Sequence, residues 1–383
     1  MYDTFKKSQK HLLKRLAKIG IAPETIKRIG ESGYYMLNSA YGDEPIVADS
    51  FYGTKIYSGF ITLSNFLEYI KGHVPYKPRP HIHEIHNVEE AVKILSDNDW
   101  FKRGLMTFRG QNQEYFMRRR FPNPIQVLKD GTERLILPGY WRKYRGKWDE
   151  RFRAPEYHSI FKSIYGDFLT YYGLPDPQWI AEYNIKKYGI HTMSDMEFFE
   201  EDFNKEYFKR FSEIKIHPNS SLPAIEQHYG IETPYLDVTF DIKIALFFAT
   251  HRYIVENGEA FYAEIPKGNH KGVIYSFVFH DPVVTASNDL IKDIPCFKHI
   301  SPYRPSRQMC ALRHFDSHSI NAAVTDIDTI FYLSEDFDTS GIATFEDLFP
   351  NAGEDPFYKA LLELSAKHGG GKPFDRFAVY RGL

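Results

Sequence analysis

The stretch "TPYLDVTFDIKIALFFAT", residues 233–250, predicts a strand followed directly by a helix. Its first half alternates in polarity with a period of two, which is typical of a strand with two different faces. One face carries Tyr235, Asp237 and Thr239, and the other carries Leu236, Val238 and Phe240. Asp241 then offers a side-chain cap for the helix that begins in "DIKIALFFA". The polar strand face is either an outer sheet face or the lining of a ligand cleft.

A second polar group stands just before this strand, in "LPAIEQHYG", residues 222–230. The segment predicts a short helix that ends at Gly230, a residue type common at helix C-termini. Gln227, His228 and Tyr229 therefore lie close in sequence to the polar strand face. A single histidine such as His228 is more often structural than catalytic, but this crowding of polar residues favours a site.

A separate apolar run, "LMTF", leads into Arg109 and Gly110. A strand that ends on these residues indicates either a surface turn or an arginine held at the rim of a cleft to bind an anion. The chain that follows, residues 117–153, holds eleven Lys/Arg against four Asp/Glu, a net charge of +7. Such a segment is either a solvated loop or a basic lip that attracts an anionic ligand such as a dinucleotide or a nucleic acid.

The whole chain divides into three parts. Residues 1–72 predict a small helical or mixed unit. Residues 73–86, "HVPYKPRPHIHEIH", combine three prolines with four histidines, and they predict an extended linker rather than a metal site. Residues 87–383 predict one larger α+β domain. Capping signals within it predict helices over residues 87–100, 194–211 and 356–368.

The bulk composition sets the class of protein. The 383 residues are 43% hydrophobic, which is enough for a large core. The net charge of −2 gives the whole protein no electrostatic attraction to nucleic acid or to a membrane. Two cysteines, Cys296 and Cys310, make no disulfide scaffold and indicate a reducing compartment. The N-terminus lacks the apolar region of a signal peptide, and no window of about 18 residues is apolar throughout. We therefore expect a cytoplasmic protein with no membrane partner.

Two of these motifs together resemble the FRG domain. That family is named for a Phe-Arg-Gly sequence, which is residues 108–110 here. Its second hallmark is a Gln-His-Tyr-Gly block, then a Thr-x-x-Leu-Asp-x-Thr strand and an Ala-Leu-Phe-Phe-Ala helix. This chain has all three, at residues 227–230, 233–239 and 245–249.

A third hallmark of the family, Arg-x-x-x-Gln-x-Gly-x-Phe, matches "RPSRQMCAL" in part. Arg304 and Gln308 are present, whereas Cys310 replaces the glycine and Leu312 replaces the phenylalanine. The resemblance covers about residues 87–365. FRG-domain proteins are mostly bacterial and phage-associated, which implies a bacterial toxin or a phage-defence effector.

The spacing of the motifs is also similar to that of ADP-ribosyltransferases. Those enzymes place an arginine on an early strand, a Ser-Thr-Ser strand before a short helix with Ala-x-x-Phe-Ala, and a glutamate on a later strand. Here Arg109 comes early, residues 237–239 precede the helix, and Gln308 stands where the glutamate is expected. The similarity implies an ADP-ribosyltransferase-like fold of split antiparallel β-sheets with flanking helices, in addition to the small N-terminal unit.

The same similarity implies NAD as the substrate, with no metal. Arg109 would bind the pyrophosphate, Tyr229 or Tyr235 would stack on the nicotinamide, and Asp237 would stabilise the oxocarbenium-like cation formed on cleavage. The residues expected to act in catalysis are Arg109, Asp237, Thr239 and His228. The residues expected to bind the ligand are Arg109, Gly110, Gln111, Gln227, Tyr229, Tyr235 and Gln308.

Three functions stay open at this point. The first is an ADP-ribosyltransferase or NAD glycohydrolase, with a protein or nucleic acid as acceptor if the reaction is transfer. The second is a non-catalytic module that binds a nucleotide or nucleic acid in the same cleft, which Gln308 favours because an amide cannot act as a base. The third, a metal-dependent nuclease, is disfavoured since no HNH-like, Asp-x-Lys or histidine-pair metal pattern stands out.

Overall fold

The computed structural model of the protein describes residues 2–38, 44–53, 60–73, 79–155, 222–279 and 302–381, with positions 157, 160, 167, 284 and 285. The helices of these residues are α1 (Tyr2–Lys18), α2 (Pro23–Glu31), α3 (Leu63–Ile70), α4 (Val88–Leu95), α5 (Asp99–Lys102), α6 (Gly139–Arg142), α7 (Leu222–His228), α8 (Ile242–Thr250), α9 (Tyr303–Arg307), α10 (Phe345–Leu348) and α11 (Pro356–Lys367). The strands are β1 (Tyr34–Leu37), β2 (Ile46–Asp49), β3 (Phe60–Thr62), β4 (His81–Ile85), β5 (Thr107–Gln111), β6 (Phe116–Met117), β7 (Glu133–Arg134), β8 (Tyr235–Thr239), β9 (His251–Glu256), β10 (Glu259–Glu264), β11 (Val273–Phe277), β12 (Val284–Thr285), β13 (Cys310–His314), β14 (Ile327–Leu333) and β15 (Val379–Tyr380). The α+β class predicted from the sequence is confirmed.

Seven strands form the central sheet, in the order β12-β13-β8-β5-β11-β14-β4. Neighbouring strands are antiparallel except β14 and β4, which run parallel. Strand β5, which carries Arg109, lies between β8 and β11. It is therefore a direct neighbour of the strand that carries Asp237, although 128 residues separate the two in sequence.

Helix α8 packs on one face of this sheet and explains the glycine at position 110. Ala245 and Ala249 of α8 share a buried cluster with Phe108 of β5. A Cβ atom on Gly110 would overlap the carbonyl oxygen of Ala245. Glycine at this position is required for the close approach of the helix to the strand.

The opposite face of the sheet carries a second core. Leu236 and Val238 of β8 pack there with Tyr275 of β11 and with Trp141. The alternation predicted for β8 is therefore confirmed on its apolar side. Asp241 also caps α8 as predicted, since its carboxylate accepts a hydrogen bond from the N–H of Lys243 at 2.8 Å.

The described part of residues 2–73 forms its own three-stranded sheet, in the order β1-β2-β3, packed against α1, α2 and α3. A buried ion cluster connects this sheet to the rest of the chain. Arg119 pairs with Asp49 of β2 at 2.7 Å and with Glu133 of β7 at 2.9 Å. Each of the three side chains is at most 4% exposed. The division of the chain near residues 72 and 86 stays a prediction.

Residues 81–85, inside the segment predicted as a linker, form strand β4. It pairs in parallel with β14, from His81 opposite Thr329 to Ile85 opposite Leu333. The strand begins directly after Pro80, because proline lacks the amide donor that a sheet requires. This half of the histidine-rich segment is therefore an edge strand of the central sheet.

Two of the predicted helix starts are confirmed. Asn87 accepts a hydrogen bond from the N–H of Glu90 at 2.9 Å, and Asp355 accepts one from the N–H of Phe357 at 3.0 Å. The first of these helices ends at Leu95 rather than near Trp100, and the short α5 follows it. The predicted helix over residues 194–211 lies outside the described residues. In the described part of the chain, no helix has the length and apolarity needed to cross a bilayer.

Candidate functional site

The central sheet opens between β5 and β8. These two strands pair at a single position, Phe108 opposite Thr239, whereas β5 and β11 pair over all five residues of β5. Beyond Phe108 the two strands diverge, and residues of both line a cavity of about 890 Å³. A cavity of this volume is at the upper end of the range for small-molecule and cofactor sites.

Arg109 spans the gap between the diverging strands. Its Nη1 donates a hydrogen bond to the backbone carbonyl of Asp237 at 2.6 Å. Its Nε is buried and has no hydrogen-bond partner among the described residues. The pKa of Arg109 is lowered to about 10, chiefly by burial and then by the charge of Arg142, while the charge of Asp237 acts in the opposite direction. A bound anion would offset this unfavourable placement of the guanidinium.

Gln227 satisfies backbone groups of β8 at the edge where β8 no longer pairs with β5. With its amide nitrogen facing β8, the side chain donates to the carbonyl of Tyr235 at 3.0 Å and accepts from the N–H of Asp237 at 3.2 Å. The amide also contacts the hydroxyl of Thr233. Because the backbone groups of β8 are satisfied by side chains, the strand can lie beside an open cleft without a pairing partner.

Asp237 and Thr239 both border the cleft, but their side chains differ in availability. The carboxylate of Asp237 accepts no hydrogen bond from another described residue, so it is available to a ligand. The hydroxyl of Thr239 donates to the carbonyl of Gln308 at 2.9 Å and accepts from the N–H of Asp241 at 3.1 Å. Thr239 therefore fixes the position of neighbouring backbone more than it offers a group to the cleft.

His228 lies behind the cleft wall and does not line the cavity. It is 3% exposed, and its ring nitrogens contact Oε1 of Gln308 at 2.8 Å and Sγ of Cys310 at 2.9 Å. Gln308 itself borders the cleft, and its Nε2 donates to the carbonyl of Leu348 at 3.1 Å. Both ends of the Gln308 amide are therefore engaged within the protein.

The other sequence-predicted ligand residues divide between cleft and core. Gln111 and Tyr235 line the cavity, and Oε1 of Gln111 is buried without a hydrogen-bond partner among the described residues. Gly110 also borders the cavity, although helix packing already explains it. Tyr229 is fully buried away from the cleft, and its hydroxyl donates to Asp355 at 2.7 Å. Tyr229 thus has no face available for stacking on a ligand.

Two arginines that were not singled out from the sequence also line the cleft. Arg142 and Arg145 are exposed residues of the basic segment 117–153. Two other arginines of that segment are buried. Arg119 belongs to the buried ion cluster, and Arg151 donates to the carbonyl and hydroxyl of Ser50. Of the basic side chains in the segment predicted to be either a solvated loop or a basic lip, Arg142 and Arg145 line the cavity.

Aromatic rings form another part of the cleft wall. They come from the hairpin of β9 and β10, from the end of α8 and from β15, and they are Tyr253, Tyr262, Phe248 and Tyr380. Tyr253 is 44% exposed, so its ring is available to a planar ligand group. Aromatic residues make up 16% of the chain, and nothing local in the sequence indicates which of them face a cavity.

The fold and the site define an α+β protein with an arginine and a carboxylate in a cleft of its central sheet. The FRG domain family model matches residues 168–257, which confirms the FRG domain identified from the sequence motifs. The matched range contains the Gln-His-Tyr-Gly block, β8 and α8, and it does not contain Arg109 or Gln308. No curated protein and no solved structure gives a significant match to the chain.

Proposed function

We propose that this protein cleaves NAD in the cleft between β5 and β8, as an ADP-ribosyltransferase or as an NAD glycohydrolase. One observation carries the proposal. The guanidinium of Arg109 and the carboxylate of Asp237 border the same cavity of about 890 Å³, at the point where two central strands diverge. An anion-binding group and a cation-stabilising group in one cleft are what cleavage of a dinucleotide requires.

The positive charges of the cleft suit the pyrophosphate. Arg109 is anchored at Nη1 by its hydrogen bond to the carbonyl of Asp237. Arg142 and Arg145 are exposed at the cleft and add charge that can reach phosphate oxygens in a bidentate manner. The aromatic wall, with Tyr235 and Tyr253, would hold the planar nicotinamide or adenine ring.

In the proposed cleavage step, Asp237 stabilises the positive charge that develops on the ribose. Cleavage of the N-glycosidic bond builds positive charge on the ribose, and a carboxylate close to that carbon stabilises the charge. The carboxylate of Asp237 is available for this role, since no described residue donates a hydrogen bond to it. In the transferase version of the reaction, a protein or nucleic-acid acceptor then attacks the ribose carbon; in the hydrolase version, water does.

We further propose that the fold is ADP-ribosyltransferase-like. The pairing of β5 with β8 at a single position, beside the proposed NAD cleft, supports the split of the sheet that the similarity in motif spacing implies. The resemblance to FRG-domain proteins supports a role as a bacterial toxin or a phage-defence effector.

A non-catalytic module for a nucleotide or nucleic acid is the alternative, and the contacts of Gln308 favour it. An amide cannot act as a base, and both ends of this amide are engaged, by His228 and by Leu348. A chain that lacks the later carboxylate of the transferases would bind the same ligand without cleaving it.

Nicotinamide release from NAD by the purified protein tests the proposal. We expect release by the wild type, with loss in Arg109→Lys and Asp237→Asn. Glu232→Gln is the matched control, because Glu232 is an exposed carboxylate on the same cleft. Binding of NAD without release, in the presence and absence of cell lysate as a source of acceptor, would establish the binding module instead. Absence of both binding and release would overturn NAD as the ligand.

A further inference from the structure

Three side chains that are far apart in sequence converge behind the floor of the cleft. They are His228 at the end of α7, Asp237 in β8 and Cys310 in β13. One potential ligand atom from each, a ring nitrogen, a carboxylate oxygen and a sulfur, lies within 4.8 Å of the other two. His228 and Cys310 are buried, whereas Asp237 borders the cavity.

Neighbouring contacts fix the tautomer of His228. Because Nε2 of Gln308 donates to the carbonyl of Leu348 at 3.1 Å, its Oε1 faces Nδ1 of His228 as an acceptor at 2.8 Å. Nδ1 must therefore carry the proton, which leaves the lone pair on Nε2. That lone pair points at Sγ of Cys310, 2.9 Å away. Histidine ligands of metals are oriented in the same way, by a hydrogen bond from the nitrogen that does not bind the metal.

We infer that His228, Cys310 and Asp237 bind one divalent metal ion of the zinc class. The donors would be Nε2, Sγ and a carboxylate oxygen, a mixed nitrogen, sulfur and oxygen set that suits Zn²⁺ and not Mg²⁺ or Ca²⁺. Three protein ligands leave one position of a tetrahedral ion open. Since Asp237 borders the cavity, this open position would face the cleft.

Metal binding requires an adjustment of the contact between His228 and Cys310. At 2.9 Å, the thiol donates its proton to Nε2. A tetrahedral ion with ordinary Zn–S and Zn–N bonds separates its sulfur and nitrogen ligands by about 3.6 Å, so the two side chains must move apart by about 0.7 Å. The ion takes the place of the thiol proton, which is released to solvent, and Cys310 binds as a thiolate.

This site was not expected from the sequence, where positions 228, 237 and 310 match no metal-binding spacing. The FRG pattern does not itself supply the sulfur ligand, because Cys310 stands where that pattern has a glycine. The inference does not rest on NAD cleavage, since metal binding is measured without any nucleotide.

A titration of the metal-stripped protein with Zn²⁺, in competition with a chromophoric chelator, measures the site. We expect one equivalent to bind to the wild type, and binding at least about tenfold weaker in Cys310→Ser, His228→Gln and Asp237→Asn. Cys296→Ser is the matched control, because it removes the one other thiol of the chain and must leave the affinity unchanged. Thermal unfolding of each metal-free variant shows that it is folded, and Asp237→Asn, at the cleft surface, is the least disruptive of the three.

Cobalt(II) provides a second measurement with a direct signature of the sulfur ligand. We expect thiolate-to-cobalt charge-transfer absorption in the wild type and in Cys296→Ser, and none in Cys310→Ser. The inference is overturned if the wild type binds neither ion stoichiometrically. It is equally overturned if Cys310→Ser keeps the affinity for Zn²⁺ and the absorption with Co²⁺.

Discussion

Nη1 of Arg109 donates a hydrogen bond to the backbone carbonyl of Asp237 at 2.6 Å, across the gap where β5 and β8 cease to pair. The same guanidinium therefore supports the edge of one strand and presents charge to the cleft. Binding measurements on Arg109 variants must accordingly be accompanied by a measurement of stability. A carbonyl left without its donor costs about 1–3 kcal/mol when it is buried.

Replacement of both Arg142 and Arg145 by alanine should weaken binding of NAD at least about tenfold, because each removes a charged donor from the cleft. The melting temperature should stay unchanged, since both residues are exposed. Isothermal titration calorimetry at two salt concentrations measures the affinity and its salt dependence. Arg118→Ala, an exposed arginine outside the cavity lining, is the control. Equal affinities for the double variant and the wild type would remove these arginines from the site.

Arg119→Met should destabilise the protein by about 3–5 kcal/mol, because it leaves the buried carboxylates of Asp49 and Glu133 without their cation. The adjacent Arg120 pairs with Glu31 at 2.8 Å on the surface, and Arg120→Met should cost no more than about 1 kcal/mol. Urea unfolding measures the loss of unfolding free energy in each of the two variants. Similar losses would contradict the assignment of the buried cluster as the connection between β2 and the rest of the chain.

Gly110→Ala should lower the free energy of unfolding by about 3 kcal/mol or more, because the new methyl group overlaps the carbonyl oxygen of Ala245 and displaces α8. Gly371→Ala is the control, since a Cβ there would meet only the carbonyl oxygen of His368, at an ordinary 3.9 Å. That substitution should change stability by at most about 0.5 kcal/mol. Chemical denaturation measures the free energy of unfolding of both variants. A Gly110→Ala protein as stable as the wild type would show that helix packing does not require glycine at this position.

Acidification should destabilise the protein through His318. Burial lowers the pKa of His318, and the charge of Arg151 lowers it further, while Asp316 acts in the opposite direction. A histidine with a lowered folded pKa binds fewer protons than it does in the unfolded chain. Its contribution to stability is therefore full above the unfolded pKa of about 6.5 and declines as the pH falls below it.

The melting temperature should consequently fall between pH 7 and pH 5, and His318→Gln should reduce that fall. The ring of His318 packs against Phe5 of α1 and against Phe152, so its protonation also disturbs the contact with the N-terminal helix. His11→Gln is the control, because His11 lies exposed on α1. A pH profile of His318→Gln that is identical to that of the wild type would exclude this histidine as a source of the acid sensitivity.

The sequence by itself determined the local structure of the site elements. The alternation of β8, the Asp241 cap of α8 and the FRG resemblance can all be identified from contiguous residues, because strand period and capping hydrogen bonds depend on near neighbours in the chain. The motif pattern, rather than any local physical signal, directed attention to Arg109 and Asp237, and both residues line one cavity in the structure.

Tertiary structure alone decided where the cleft opens and which side chains face it. The divergence of β5 and β8 depends on hydrogen bonds from Arg109 and Gln227 to a strand edge, and no local pattern encodes such contacts between distant residues. Tyr229 lies in the core, and the basic segment 117–153 contributes residues both to the interior and to the cleft. Neither outcome is visible in the sequence, because the burial of a residue depends on what packs against it. The meeting of His228 with Cys310, 82 residues apart, has the same origin: pairing of β13 with β8 brings the sulfur to the imidazole.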